Sequence, residues 1–126
     1  MKKIIIDTNF LMIPFKFKVD IFSEFRRVCD FNYELFIFEQ SISELKNIIE
    51  RQRGKDRIGA KLALNLIKIK NIGIIKTEEK DVDLLILENV GRNNVIATQD
   101  LILKKELKNR GSPVIILRNK KYLQLV

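Results

Sequence analysis

Two aspartates come just after apolar segments that are typical of buried strands. Asp7 follows Ile4-Ile5-Ile6 directly, and Asp100 lies three residues beyond Val95-Ile96-Ala97. In an open parallel sheet the carboxyl ends of the strands lie along one edge, where ligands bind at the topological switch point. We therefore expect both carboxylates at the same edge of a sheet.

Two further acids lie early in predicted helices that begin at this edge. Glu44 follows the second predicted strand, and Asp83 follows the shorter candidate strand Gly73-Ile74-Ile75. The positive end of a helix dipole favours carboxylates there. Carboxylates gathered in one crevice repel one another unless a divalent cation lies among them. An all-oxygen set selects Mg²⁺ or Mn²⁺, which can generate a hydroxide nucleophile for an in-line displacement at phosphorus.

Each acid also has an ordinary structural explanation. Asp7 could form an Asx-type turn with the residues after it. Glu44 could complete a capping box with Ser41, and Asp83 could match the helix dipole in a first turn. Asp100 could be the N-cap of the next helix. The occurrence of all these acids at one predicted edge favours a functional site.

The sequence contains no histidine, and its single cysteine is Cys29. The absence of histidine excludes Ser-His-Asp and Cys-His catalysis and histidine-ligated zinc. The cysteine lies in a helical pattern, where a core role is more common than a nucleophilic one. One unpaired cysteine fits a reduced, cytoplasmic setting. Chemistry therefore has to use carboxylates, lysines or hydroxyls.

The charge favours a polyanionic partner, since 24 Lys and Arg against 16 Asp and Glu give a net charge of +8. Basic residues surround Gly54 in a predicted turn between two helices: Arg51, Arg53, Lys55 and Arg57. Contact with RNA phosphates and simple solvation of the turn explain them equally well. No apolar run is long enough to span a membrane, so we expect no membrane partner.

The elements that must position these residues alternate between strands and helices. Predicted strands span 4–6, 35–38, 73–75, 95–97 and 114–117, and predicted helices span 19–30, 42–53, 56–70, 82–90 and 101–110. This alternation indicates an α/β fold, a three-layer α/β/α sandwich with a central parallel sheet. Pro14 is expected in a loop. A chain of 126 residues, 46% hydrophobic, has the size of one domain, residues 1–126.

Together these segments resemble a PIN domain. The matching motifs are Ile4-Ile5-Ile6-Asp7-Thr8-Asn9, Ser41-Ile42-Ser43-Glu44-Leu45, Val82-Asp83 and Ala97-Thr98-Gln99-Asp100. The resemblance covers essentially the whole chain, and residues 111–123 are similar to archaeal PIN proteins related to small-subunit rRNA-processing nucleases. It implies a Mg²⁺ or Mn²⁺ site and endonucleolytic cleavage of RNA that leaves a 5′-phosphate and a 3′-hydroxyl.

The resemblance also implies roles for individual residues. Metal-ligand and catalytic roles fall to Asp7, Glu44, Asp83 and Asp100, while Asn9 and Thr98 would orient those ligands or the attacking water. Asp81 is the alternative third acid, because two residues along a helix differ by about 200° and only one can face the site. The sequence departs from the family pattern at Gln99 and Leu84, where Asn and Asp are common.

The resemblance favours a role in rRNA or other RNA processing, with RNA as substrate and a ribosome-assembly protein as a partner. A toxin that is inhibited by an antitoxin is the competing role. Relatives often dimerise, so a homodimer is a reasonable expectation. A PIN domain that only binds RNA would not need the full set of acids. A phosphatase with Asp7 as nucleophile usually has a second Asp two residues on, where Asn9 stands.

Overall fold

The computed structural model describes residues 1–78, 80–91 and 93–126. The strands are β1 (Lys2–Ile6), β2 (Tyr33–Phe38), β3 (Gly73–Ile75), β4 (Asn94–Ala97), β5 (Val114–Arg118) and β6 (Tyr122–Leu125). The α-helices are α1 (Ile13–Phe17), α2 (Ile21–Val28), α3 (Glu39–Arg51), α4 (Lys55–Ile69), α5 (Val82–Glu88) and α6 (Leu101–Asn109). A 3₁₀ helix, Thr8–Met12, connects β1 to α1. No helix in these described ranges is long and apolar enough to cross a membrane.

The sheet has the strand order β3-β2-β1-β4-β5-β6. All neighbouring strands pair in parallel except β6, which runs antiparallel to β5. The chain builds β2 and β3 on one side of β1 and then crosses to build β4 and β5 on the other. The topological switch point, where open α/β sheets bind ligands, therefore lies between β1 and β4.

Helices cover both faces of the sheet. Successive side chains of a strand point to opposite faces, so β1 contributes to two cores. Ile4 and Ile6 of β1 belong to a core that includes buried residues of α2, α3 and α4. Ile5 belongs to a second core with buried residues of α5 and α6. In the first core, the rings of Phe10 and Phe25 stack with their centroids 6.0 Å apart. The predicted three-layer α/β/α sandwich is confirmed.

Two parts of the fold differ from the prediction. The segment around Pro14, predicted as a loop, forms the 3₁₀ helix and α1, where the proline lies in the first turn and needs no hydrogen-bond donor. The sheet is also not wholly parallel, because the chain turns back after β5. Asn119 and Lys120 take positive φ values of 52° and 56°, as the tight turn of a β-hairpin requires. Thus β6 is added as an antiparallel edge strand.

The outer edge of β6 is covered by two charged side chains of α2. The Arg27 guanidinium donates to the Leu123 carbonyl oxygen at 2.7 Å, and the Leu123 N–H donates to the Glu24 carboxylate at 2.8 Å. Arg27 also donates twice to Glu24, at 2.8 and 3.0 Å, and these bonds hold the pKa of Glu24 below its usual range. The N–H and carbonyl of Leu123, which an edge strand would otherwise offer to another chain, are therefore satisfied internally.

We expect Glu24→Ala to lower the free energy of unfolding by about 1–3 kcal/mol, because it removes the acceptor of the Leu123 N–H and the partner of Arg27. Urea unfolding followed by circular dichroism measures this change. Glu50→Ala, at an exposed glutamate of α3, is the control and should change little. An equal loss of unfolding free energy in the two variants would show that the contact of Glu24 with β6 does not stabilise the fold.

Candidate active site

An open cleft of about 890 Å³ lies at the carboxyl edge of the sheet. All the predicted acids line it: Asp7, Glu44, Asp83 and Asp100. Asn9 lines it as well. The remaining lining residues are Lys16, Asp81, Val82, Leu84 and Gln99. Within the part of the chain that the structure describes, the cleft therefore combines five carboxylates with a single lysine. Such a cleft attracts cations.

Asp7 is held by hydrogen bonds to both of its carboxylate oxygens. Oδ1 accepts from the Thr8 N–H at 2.9 Å, which caps the 3₁₀ helix, and Oδ2 accepts from the Thr98 hydroxyl at 2.8 Å. Burial raises the pKa of Asp7, and the charges of Asp83 and Asp100 raise it further, although both hydrogen bonds oppose the shift. A carboxylate has about four acceptor positions, so Asp7 retains lone pairs for a cation.

Thr98 links two of the acids from below the cleft. Its hydroxyl donates to Asp7 and accepts the Asp100 N–H at 3.1 Å. The side chain is fully buried, and its own N–H donates to the Ile115 carbonyl of β5 at 3.1 Å. The sheet therefore fixes Thr98, which in turn can orient Asp7.

Asp100 is the N-cap of α6, which is the structural role that the sequence suggested for it. Its Oδ1 accepts from the N–H groups of Ile102 and Leu103 at 2.9 and 3.1 Å. Both bonds use the same oxygen, so Oδ2 remains available to the cleft. Capping the helix and binding a cation are thus compatible roles for Asp100.

Glu44 does not form the capping box considered for it. The helix α3 begins at Glu39, earlier than predicted, and its N-cap has no side-chain hydrogen bond. Glu44 therefore lies in the second turn, where it lines the cleft. Glu44 is exposed as a residue, but partial burial of its carboxylate at the wall of the cleft raises its pKa, and the nearby charges of Asp7 and Asp83 add to this rise.

Asp81 and Asp83 both line the cleft. The prediction that only one of them could face the site is wrong, because Asp81 precedes α5 with an extended backbone, φ −60° and ψ 144°. The rotation between helical residues does not apply to it. Burial raises the pKa of Asp83, and the charges of Asp100 and Asp81 contribute. The geometry therefore leaves room for both acids at the site.

Asn9 lines the cleft from the 3₁₀ helix, and its backbone carbonyl accepts from the Gln99 side-chain amide at 3.2 Å. Gln99 thus ties the segment after β4 to the segment after β1. The sequence pattern marked Gln99 only as a departure from the family and gave no role to Lys16. No periodic pattern predicted α1, so nothing in the sequence placed Lys16 near the acids.

The predicted RNA-binding residues lie apart from the cleft. They are exposed and lie around the turn between α3 and α4, at the end of α3, in the turn itself and in the first turn of α4: Arg51, Arg53, Lys55 and Arg57. Gly54 makes this turn with φ 69° and ψ −134°, a conformation that glycine adopts at little cost. None of these side chains lines the cleft, so the structure does not bring them among the acids.

No group of three or more Asp, Glu or Cys side chains in residues 1–78, 80–91 and 93–126 forms a ready metal-binding cluster. Repulsion between like charges opposes closer approach of the acids. The donor set is nevertheless of the right chemistry for a hard cation, because every candidate ligand is an oxygen. Mg²⁺ usually keeps several water ligands and does not need a closed protein cage. The residues therefore fit such an ion.

Cys29 is half-buried between α2 and β2 and does not line the cleft. Burial raises the pKa of its thiol to about 11, so the thiol stays protonated at neutral pH. A protonated thiol is a poor nucleophile. Carboxylate chemistry remains the chemistry that the site can support.

Comparison of sequences identifies relatives along almost the entire chain. The profile of the family described as "PIN like domain" matches residues 4–120. Ribonuclease VapC4 of Methanocaldococcus jannaschii is 33% identical, over 99% of this chain and 97% of its own length. Ribonuclease VapC9 of Archaeoglobus fulgidus is 30% identical, over 93% of this chain and 84% of its own length.

Solved structures share the fold at lower identity. The PIN domain endonuclease Utp24 superposes with a TM-score of 0.78 at 23% identity, over 98% of this chain and 90% of that one. A domain of a functionally unknown protein from Methanocaldococcus jannaschii gives a TM-score of 0.60 at 20% identity, over 94% and 92% of the two chains. The family match spans every residue that lines the acidic cleft. The chain belongs to the PIN-like domain family.

Proposed function

We propose that this chain is a divalent-metal-dependent endoribonuclease. The observation that carries the proposal is the acidic cleft at the carboxyl edge of the sheet, which Asp7, Glu44, Asp83 and Asp100 all line. The negative charge of the cleft favours a cation within it. The net charge of +8 on the whole chain favours a polyanion bound to the surrounding surface. The two sequence relatives, both ribonucleases by name, support RNA as that polyanion.

The cation that suits this all-oxygen set is Mg²⁺ or Mn²⁺. Asp7, Glu44, Asp83 and Asp100 would hold it, with Asp81 as a further candidate. When bound, the ion would activate water and offset the charge that develops at the scissile phosphate. Asp7 and Asp100, joined through Thr98, form the rigid side of the site. Glu44 and Asp83 are exposed on helices and can adjust to the ion.

The reaction is hydrolysis of a phosphodiester. Water attacks phosphorus, the bond from phosphorus to the 3′ oxygen breaks, and that oxygen takes a proton. The products carry a 5′-phosphate and a 3′-hydroxyl. The chain's residues orient the ligands, with Thr98 holding Oδ2 of Asp7 and Gln99 holding the backbone of Asn9.

The test is cleavage of end-labelled structured and single-stranded RNAs with Mg²⁺, Mn²⁺ or EDTA. We expect wild type to cut only with a metal. Glu44→Gln should slow cleavage by more than about 10-fold, because an amide binds a divalent cation less strongly than a carboxylate does. Glu39→Gln is the matched control, since this exposed glutamate lies in the same helix outside the cleft.

Cleavage that persists in EDTA, or an equal loss in Glu39→Gln, would contradict the proposal. Wild type that binds RNA but cuts none with either metal would favour an RNA-binding module. Because Glu44 is exposed, its substitution should leave the circular dichroism spectrum unchanged, which separates lost chemistry from lost folding.

For the cellular role we propose RNA processing in the cytoplasm, with rRNA as the target class and a ribosome-assembly protein as a partner. The resemblance of residues 111–123 to archaeal PIN proteins that are related to small-subunit rRNA-processing nucleases supports this role. The likeness to Utp24, at 23% identity, supports the fold alone. Sequencing of RNA ends with 5′-phosphates after induced expression tests the target, since cuts within rRNA precursors are expected.

A toxin-type ribonuclease controlled by an antitoxin is the second candidate, because both sequence relatives are VapC ribonucleases. An apolar groove of about 500 Å³ between α1 and α4 also favours a protein partner, either an antitoxin or a second copy in a homodimer. Leu62 and Ile69, which line it, are 43% and 65% exposed. Growth arrest on induction, relieved by Asp7→Asn, would favour the toxin.

A further inference from the structure

Lys16 is the single lysine or arginine among the described residues that line the acidic cleft. Its Nζ lies 3.9 Å from Oδ1 of Asp56, and the two side chains are 43% and 51% exposed. An exposed ion pair at this distance contributes little free energy. Lys16 is therefore available to another anion that enters the cleft.

Lys16 also lines a narrower groove of about 140 Å³ beside the cleft. The residues of this groove are Asn9, Met12, Lys16, Ile48, Gln52 and Asp56. Asn9 and Lys16 belong to both the groove and the cleft, so the two spaces adjoin. Gln52 lies in the turn between α3 and α4, and Asp56 lies in the first turn of α4, so both are sequence neighbours of the exposed basic residues 51, 53, 55 and 57. The groove thus extends from the acids toward the basic turn.

The position of Lys16 depends on close packing of α1 against α4. A Cβ atom at Gly59 of α4 would lie 2.9 Å from Cδ1 of Phe15 and 3.0 Å from Cε of Met12. The absence of a side chain at Gly59 allows this approach. The backbone of Lys16 is therefore fixed beside the groove, while its long side chain can move between Asp56 and a bound anion.

We propose that this groove is a phosphate-backbone subsite that leads a single RNA strand from the basic turn into the acidic cleft, with Lys16 binding the phosphate beside the scissile one. The proposal rests on the endoribonuclease function, because it takes the cleft as the place of cleavage. The five carboxylates repel an RNA phosphate, and a cation at the rim offsets this repulsion. Asp56 competes with RNA for Lys16.

Fluorescence anisotropy with a labelled single-stranded RNA tests the subsite, in an Asp7→Asn background with Mg²⁺ and at several salt concentrations. Lys16→Ala should raise Kd by about 3- to 10-fold and reduce the salt slope by about 1, as expected for one lost phosphate contact. Asp56→Asn should lower Kd. Lys61→Ala, at an exposed lysine of α4 outside both spaces, is the matched control and should change neither quantity.

An unchanged Kd in Lys16→Ala, or an equal rise in Lys61→Ala, would overturn the subsite. If wild type still cuts RNA in that case, the proposed nuclease function stands without it. A Kd that depends on Lys16 in a chain that cuts no RNA would keep the groove as an RNA-binding site and overturn the nuclease function. Lys16→Gln, which retains most of the aliphatic side chain, repeats the comparison if Lys16→Ala fails to fold.

Discussion

Asp7→Asn is expected to abolish RNA cleavage while stabilising the metal-free protein. Cleavage should fall by more than about 100-fold, because Asp7 is a proposed direct ligand and the loss of residues that only orient ligands already costs about 10- to 100-fold. Stability should rise because burial and the charges of Asp83 and Asp100 disfavour the ionised form of Asp7. Asparagine keeps the shape, accepts from the Thr8 N–H and can donate to the Thr98 hydroxyl oxygen.

The pH dependence of stability follows from the same interactions. The pKa values of Asp7, Glu44 and Asp83 are raised in the fold, so the folded chain holds their protons to higher pH than the unfolded chain does. Their contribution to stability is fully present below the unfolded pKa values and is lost as pH rises through the raised folded values. These groups should make the metal-free wild type more stable near pH 5 than near pH 8.

Thermal unfolding in EDTA, at about pH 5 and about pH 8, measures both effects. Asp7→Asn should raise Tm above that of wild type, most strongly at the higher pH. The difference in Tm between the two pH values should therefore be smaller in the variant than in wild type. Mg²⁺ or Mn²⁺ should raise the Tm of wild type more than that of the variant, because the proposed ion would bind the carboxylates of the folded chain and not those of the unfolded chain. Asp30→Asn, at an exposed aspartate after α2, is the control. A lower Tm for Asp7→Asn with undiminished cleavage would contradict the assignment of Asp7.

The positions of Asp7 and Asp100 could be predicted because they depend on simple features of the sequence. The segments 4–6 and 95–97 are apolar without interruption, as expected for strands buried on both faces. They pair in parallel as parts of β1 and β4, so their carboxyl ends meet at one edge. Hydrophobic pattern and parallel topology together were sufficient to bring these two acids into one cleft.

The rest of the site depends on features without a sequence pattern. Helix α1 has only five residues, too few to show a helical period, so Lys16 had no predicted position. The turn before β6 contains Asn119 and Lys120 at positive φ instead of a glycine, so the hairpin gave no signal. Asp81 reaches the cleft because its backbone is extended ahead of α5, a conformation that periodicity does not reveal.

Thr98→Val should reduce both activity and stability, although Thr98 carries no charge and is buried beneath the cleft. Valine keeps the shape but leaves the Asp100 N–H without its acceptor and removes the donor to Oδ2 of Asp7. An unsatisfied buried group of this kind costs about 1–3 kcal/mol of unfolding free energy. Loss of a residue that orients a ligand typically lowers metal affinity or activity by about 10- to 100-fold.

The pH profile of cleavage separates an orienting role of Thr98 from a merely structural one. The Thr98 hydrogen bond lowers the pKa of Asp7, so its loss should raise that pKa further and move the acidic limb of the profile to higher pH. Thr98→Ser keeps the hydroxyl and should restore the limb, even if the lost methyl group lowers stability. Thr98→Val could instead lose stability and keep the acidic limb of the wild-type pH profile. In that case Thr98 has only a structural role in the sheet, and the Thr8 N–H orients Asp7.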